Sequence, residues 1–304
     1  MKLSELVLLK NQLNELSFSS LRTDLNSMLD NLSYITKDSN YSTVSDQYAL
    51  SQALITFNQT LENLKLNIDS DIKQLEPKYF ADSYDAYKRE LARPVEHVQS
   101  SHCIPFINID LTLFRSRIRK YADWHYPAMI IRPSIHPFIE DMVAHDPLYV
   151  VDTKHELLQT ALDKFNTQYQ LRLRKYIIDE TQPTLLTKIP DSQFSVVFAY
   201  NFFNYRPVEL FKQYLTEVYQ KLRPGGVFIL TFNDCKHAAA VEATEILFAV
   251  YTPGYLIREL AHLTGFELEY EWTDHGQLTW LELKKPGTLS SIKGGQTLAK
   301  VLPK

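Results

Sequence analysis

Glycine is scarce in this chain and confined to one end of it. Of 304 residues only eight are glycine, and all of them lie at or after Gly225. No glycine-rich loop can form before that point. That excludes the phosphate-cradling P-loop and the dinucleotide fingerprint, which bring bare backbone against phosphate oxygens. Cysteine is scarcer still. Cys103 and Cys235 stand far apart with no metal-ligand spacing, as expected of free thiols in a reducing cytoplasm rather than of a disulfide framework. Runs of one charge sign are missing. The 32 basic and 36 acidic side chains are interspersed, with a net charge of −4, so nothing marks a nucleic-acid or membrane surface. Long apolar runs are missing as well: the opening MKLSELVLLKNQL is broken by Glu5 and Lys10, and reads as neither a signal peptide nor a membrane span.

What is present is a large apolar inventory, 45% hydrophobic and 12% aromatic, enough for two domains. The chain is organised around residues 189–234. Phe194 to Tyr200 is a short Val- and Phe-rich run, too short for a helix and bounded by polar residues, hence a buried strand. From Pro207 to Leu222, Val208, Phe211, Leu215, Val218 and Leu222 recur at spacings of three and four, the pattern of an amphipathic helix. Arg223-Pro224-Gly225-Gly226 stops that helix, and Val227 to Phe232 follows as a second buried strand. Two such strands joined by one helix lie parallel with a right-handed crossover.

The amino-terminal part reads as helix. Residues 1–32 carry Leu6, Leu9, Leu13 and Leu16, and later Leu21, Leu25, Met28 and Leu32; residues 33–46 are a polar loop. A second helix, 48–75, keeps a narrow seam of Leu50, Leu54, Phe57, Leu61, Leu64 and Ile68 and stops before Pro77. Such a seam suits either an intramolecular hairpin or a dimerisation arm. Tyr84 to Val98 and Leu111 to Tyr121 read as further helices. Trp124, His125 and Tyr126 precede the four-residue apolar strand Ala128 to Ile131, either as a lid over a site or as packing.

Ile189-Pro190-Asp191, the strand after it, and Leu222-Arg223-Pro224-Gly225-Gly226 before the next strand resemble the fourth and fifth strands of class I S-adenosylmethionine-dependent methyltransferases. The wording is similar to type 11-like members, including phage-encoded ones. The resemblance implies an α/β Rossmann-like sheet over 122–285 and leaves the first 120 residues unexplained; their helical periodicity reads as a separate domain over 1–121 that caps the sheet or makes a homo-oligomer, and the Gly-, Lys- and Ser-rich residues 286–304 read as a tail. Its first three strands are Ala128 to Ile131, Leu148 to Asp152 and Arg172 to Ile178. Late in the order come a helix from Gly254 to Gly265 and an antiparallel pair, Glu267 to Thr273 and Leu278 to Leu283, turned at Asp274-His275-Gly276.

The resemblance also implies the site. S-adenosylmethionine would lie at Ile131, Arg132, Pro133, Ser134, His136, Asp152 and Tyr200, with Asp152 accepting from the ribose hydroxyls or capping the next helix. Tyr200, Asn201 and His275 are the candidates facing an unidentified methyl acceptor, with Asn233, Asp234 and His237 nearby. Asn-Pro-Pro-Tyr and Pro-Cys do not follow the fourth strand, so neither base-amine nor cytosine methylation is indicated, and no metal is implied. The departure is in the first loop. The family pattern there reads like Glu-Ile-Gly-Pro-Gly-Asp-Gly, and this chain has Ile130-Ile131-Arg132-Pro133-Ser134-Ile135-His136. Positive φ in a side-chain-bearing residue costs about 1–2 kcal/mol, and a buried ammonium donor left without its carboxylate costs about 1–3 kcal/mol. The loop therefore argues against efficient cofactor binding. The competing expectation is an inactive methyltransferase-fold module that assembles through its helices.

Overall fold

The structure, a computed structural model, describes residues 2–15, 43–93, 111–133, 138–273 and 278–289, with side chains of residues 43–51, 54 and 111 left aside. It comprises two compact units, Met1–Lys78 and Tyr79–Lys304.

In the first unit, α1 (Leu3–Glu15) buries Leu3, Leu6, Val7 and Leu13. The early part of α2 (Thr43–Ala92) buries Leu61, Ile68 and Ile72. Lys10 and Asp69 join the two helices across 2.7 Å. Of the seam's described side chains, Leu61 and Ile68 are buried, whereas Phe57 and Leu64 stay 47% and 41% exposed. The expected helical stretch after residue 15 and the loop after it lie outside the described residues, apart from the start of α2.

The expected stop before Pro77 does not occur, and α2 runs through it. A proline inside a helix forfeits one hydrogen bond and crowds the preceding turn, at about 3 kcal/mol. Here Pro77 is exposed, and the helix is anchored on both sides of it, by Ile68 and Ile72 before and by Ser83, Ala86 and Glu90 after.

The second unit is built on a seven-stranded sheet in the order β3-β2-β1-β4-β5-β7-β6. Its strands are β1 (Ala128–Ile131), β2 (Leu148–Asp152), β3 (Leu173–Ile177), β4 (Phe194–Ala199), β5 (Leu222–Asn233), β6 (Glu267–Thr273) and β7 (Leu278–Lys284). The first five are parallel; β7 runs antiparallel to both β5 and β6. This is the α/β Rossmann-like arrangement expected. β1 pairs with β2 on one side and β4 on the other, so the strand order reverses there and a crevice opens at their carboxyl ends.

Both faces are covered over the central strands β1 and β4, which are almost wholly apolar, whereas the edge strand β3 leaves Arg174 and Lys175 exposed. On one face α6 (Val208–Lys221) packs Phe211, Leu215 and Val218 with Ile257 of α8 (Gly254–Thr264). Each such buried side chain stabilises the fold by about 1.5–3 kcal/mol. On the other face, α3 (Leu111–Lys120) stacks Phe114 on Trp280, with ring centroids 4.2 Å apart. Arg117 and Tyr121 both donate to the fully buried Glu282. α4 (His155–Leu162), α5 (Thr167–Gln170) and α7 (Ala238–Glu245) complete the regular helices among the described residues, and a short 3-10 turn, Ile139–Met142, lies between β1 and β2. The Arg-Pro-Gly-Gly turn sits inside β5, where Gly225 takes φ +80 and the register with β4 shifts. A Cβ on Gly225 would stand 2.5 Å from the Leu289 nitrogen, and only glycine adopts that φ without strain.

Candidate functional site

The carboxyl ends of β1, β2 and β4 meet at the switch point, and the side chains there are charged. β1 ends at Ile131, buried in the core, and the chain turns at Arg132 with φ +54. A left-handed residue directs its side chain where a glycine would leave room. The Arg132 side chain fills that room and is completely buried. Its Nη1 donates to Glu90 and its Nη2 donates to Thr153 Oγ1 at 3.0 Å; its Nε lies 3.6 Å from Asp152 Oδ1. Pro133 is buried beside it.

Asp152, at the end of β2, accepts on Oδ1 from the Thr153 and Lys154 backbone N–H groups at 2.7 and 3.3 Å. Its side chain is wholly buried and Oδ2 has no hydrogen-bond partner. Burial pushes the Asp152 carboxyl up from its ordinary value, against the pull of Arg132.

Two residues from outside the first loop complete the cluster, and neither was foreseen. Glu90 comes from the last turns of α2 and is 1% exposed. Arg206, just before α6, is fully buried: its Nε and Nη2 donate to Glu180 at 2.9 and 3.1 Å, and its Nη1 lies 3.4 Å from Glu90 Oε2. Tyr214 and Tyr87 also donate to Glu180, at 2.8 and 3.1 Å. Both guanidiniums lie against the Phe202 ring, at 3.9 Å for Arg206 and 5.1 Å for Arg132. Burial works to raise the Glu90 pKa, yet Arg206 and Arg132 prevail and hold it down at about 2. Burial likewise opposes the charge on Arg132, and Glu90 overrides it, so its pKa ends above the ordinary value. Glu90 and Arg132 are 42 positions apart, and no local spacing announces the pair. The one local signal was Ser83, Ala86 and Glu90 at helical spacing, a small and polar face that a lone surface helix would not bury.

The rim expected to face a methyl acceptor is closed. Tyr200, Asn201, Phe202, Phe203, Asn204 and Tyr205 are all buried. Tyr200 packs edge-on against Phe138 at 5.3 Å. Asn201 takes φ +51, donates its backbone N–H to Thr231 Oγ1 and accepts from the Asn204 amide at 2.9 Å. Asn233 donates to the Ala240 carbonyl, and His237 sits at the start of α7. Asp234 accepts from the Gly254 and Lys236 backbone N–H groups at 2.8 and 3.0 Å and pairs with Arg258 at 3.3 Å, so it ties the end of β5 to the start of α8. Ser134, His136 and His275 lie outside the described residues.

S-adenosylmethionine does not fit this arrangement. The room that glycine would leave holds the Arg132 side chain, and the Asp152 carboxylate, expected to accept from ribose hydroxyls, is sealed from solvent and beside a guanidinium. The residues present neutralise one another instead of a ligand.

Residues 138–230 match the family described as Methyltransferase domain; the match begins after β1 and the residues that follow it. The likeness to a methyltransferase domain thus covers about a third of the chain, from the turn after β1 into β5. No curated protein shows significant similarity to it. Similar solved structures include a protein from Pyrococcus horikoshii OT3, at 15% identity over 64% of this chain and 99% of that one, TM-score 0.47. Geranyl diphosphate C-methyltransferase from Streptomyces coelicolor A3(2), in complex with Mg2+, geranyl diphosphate and S-adenosyl-L-homocysteine, matches at 7% identity over 57% of this chain and 79% of that one, TM-score 0.46. A possible exported protein from Bordetella parapertussis matches at 12% identity over 58% and 68%, TM-score 0.43. Likenesses of this size say nothing about the chemistry of the site.

Proposed function

We propose that this protein keeps the methyltransferase fold without the methyl-transfer reaction and serves as an interaction module that assembles through its amino-terminal helices. One observation carries the reading: the Arg132 side chain, left-handed and fully buried between Glu90 and Asp152, fills the place where bare backbone would meet the cofactor. The closed rim from Tyr200 to Tyr205 supports it, because an acceptor has no exposed side chain to approach. Half-exposed Phe57 and Leu64 on α2 support assembly, since water-exposed apolar rows favour a covering partner. Calorimetric titration of the whole chain with S-adenosylmethionine to millimolar concentration is expected to show no binding; micromolar affinity would overturn the reading. Ile130→Glu with Arg132→Gly, Ser134→Gly, His136→Gly and Glu90→Ala should then restore measurable binding, by reopening the loop and removing its internal charge.

A second reading, S-adenosylmethionine-dependent methylation of an unidentified acceptor, is favoured by the methyltransferase match over residues 138–230 and by Asp152 at the end of β2. It requires Glu90 and Arg132 to move out of the site. Binding in the unmodified chain, followed by methyl transfer to an added acceptor, is the result that would establish it.

A further inference from the structure

Residues 79–92, the last turns of α2, lie along the carboxyl end of the sheet on a face that is mainly polar. Tyr79 donates to Glu245, Ser83 accepts from the Tyr251 backbone N–H, Tyr84 donates to Glu209, Tyr87 donates to Glu180, and Glu90 meets both buried arginines. Ala86 is the one apolar side chain of this stretch buried below a tenth. Tyr79 and Phe80 also pack on the Tyr251 ring, at 5.7 and 5.1 Å. Where a ligand replaces Glu90 in the buried cluster, each remaining neutral polar contact is exchanged for water at about 0.5–1.5 kcal/mol.

The two arginines are held by other partners as well. Glu180 grips Arg206 by two parallel bonds from the far edge, and Thr153 and Asp152 flank Arg132. Glu90 itself serves them unequally. Its Oε1 accepts from Arg132, but its Oε2 stands 3.4 Å from Arg206 Nη1, and neither that oxygen nor that nitrogen makes a hydrogen bond; Arg132 Nε is also unbonded. A free carboxylate is not tied to the helix and can centre itself between the two guanidiniums.

We propose that Arg132 and Arg206 form a binding site for a small carboxylate ligand, that Glu90 occupies it as an internal stand-in, and that a free carboxylate competes with Glu90 and releases residues 79–92. The inference rests on the preceding reading, in that the pocket is filled by the protein's own side chains. The site is small and apolar on its floor, where Phe202 lies under both guanidiniums, and it suits one carboxylate group rather than a bulky anion.

The experiment uses the whole chain and acetate, with acetamide and matched sodium chloride as controls. In the unmodified protein, acetate should speed amide hydrogen exchange across residues 79–92 in a saturable way, and the controls should not. Glu90→Ala should lower Tm by roughly 10 °C, as loss of one partner from a buried ion cluster does. Acetate should recover most of that loss, acetamide none, and Glu90→Leu, which refills the space, should not respond. Equal effects of acetate and chloride on exchange, or equal rescue of Glu90→Ala by acetate and acetamide, would overturn the proposal. Should Glu90→Ala fail to fold, the exchange measurement on the unmodified chain decides alone. Binding of S-adenosylmethionine by the unmodified chain bears only on the preceding reading, and the acetate response only on this one.

Discussion

At the scale of single residues, the charges at the switch point have opposite senses of pH dependence. Glu90 titrates at about 2 in the fold against an ordinary 4.5. A depressed carboxyl stabilises the folded state above its unfolded pKa, and that stabilisation disappears as pH falls through the folded pKa. Glu90 should thus contribute about 3 kcal/mol at neutral pH, lost between roughly pH 4.5 and 2. Asp152 is shifted upward, so its ionised form weighs against folding at neutral pH and acidification relieves it. Denaturant unfolding of the intact chain and of Glu90→Gln at several pH values separates the two. The gap between them should be widest near pH 7 and close towards pH 2; a constant gap would contradict the Arg132 and Arg206 pairing. Asp234 makes a different kind of claim. A Cβ on Gly254 would stand 2.1 Å from its Oδ2, so Gly254→Ala must displace the carboxylate that caps this junction. We expect Gly254→Ala to cost about 1–3 kcal/mol in unfolding free energy, with Asp234→Ala partly masking it, since the clash and the bond vanish together.

Single elements show where local preference yields to packing. α2 passes through Pro77 because its anchoring residues lie on both sides of the proline. α3 has a polar mean composition and four basic side chains, yet it is fixed to the sheet by two features: Phe114 on Trp280, and Arg117 with Tyr121 on Glu282. These are separable in measurement. Phe114→Ala should destabilise by about 3–5 kcal/mol through the space it leaves. Arg117→Met should cost as much again, because the buried Glu282 carboxyl would lose both of its bonds from Arg117. Replacing Glu282 by Gln in the Arg117→Met background should recover a large part of that loss, which thermal unfolding of the three variants would read directly. No recovery would mean that the helix is held by Phe114 alone.

For the molecule as a whole, the sheet order places β1 between β2 and β4, and that juxtaposition creates the crevice that the charge cluster fills. The amino-terminal unit leads to a prediction about assembly. Phe57 and Leu64, at 47% and 41% exposure, sit on the seam whose other members with described side chains, Leu61 and Ile68, are covered. Multi-angle light scattering of the whole chain should give a dimer, and Phe57→Glu with Leu64→Glu should give a monomer of unchanged helicity. A monomer in the unmodified protein would remove the assembly claim and leave the site untouched. No helix among the described residues is long and apolar enough to cross a membrane.

The sequence alone determined the sheet. Short Val- and Phe-rich runs such as Phe194 to Ala199, the three-and-four spacing of Phe211, Leu215 and Val218, and the Gly225 turn are local signals, because hydrophobic periodicity and backbone freedom act over a few residues. The sequence also marked the first loop as altered, since Arg132 stands where the resemblance expects glycine. What filled the loop was decided only by tertiary structure. Glu90, Glu180 and Arg206 come from three separate segments, and each alone reads as an ordinary charged surface residue. Their pairing depends on α2 continuing past Pro77 and reaching the sheet, and a buried charge is tolerable only where its partners have been brought within a few ångströms. Charge in the core is a property of the assembled fold, and no window of neighbouring residues contains it.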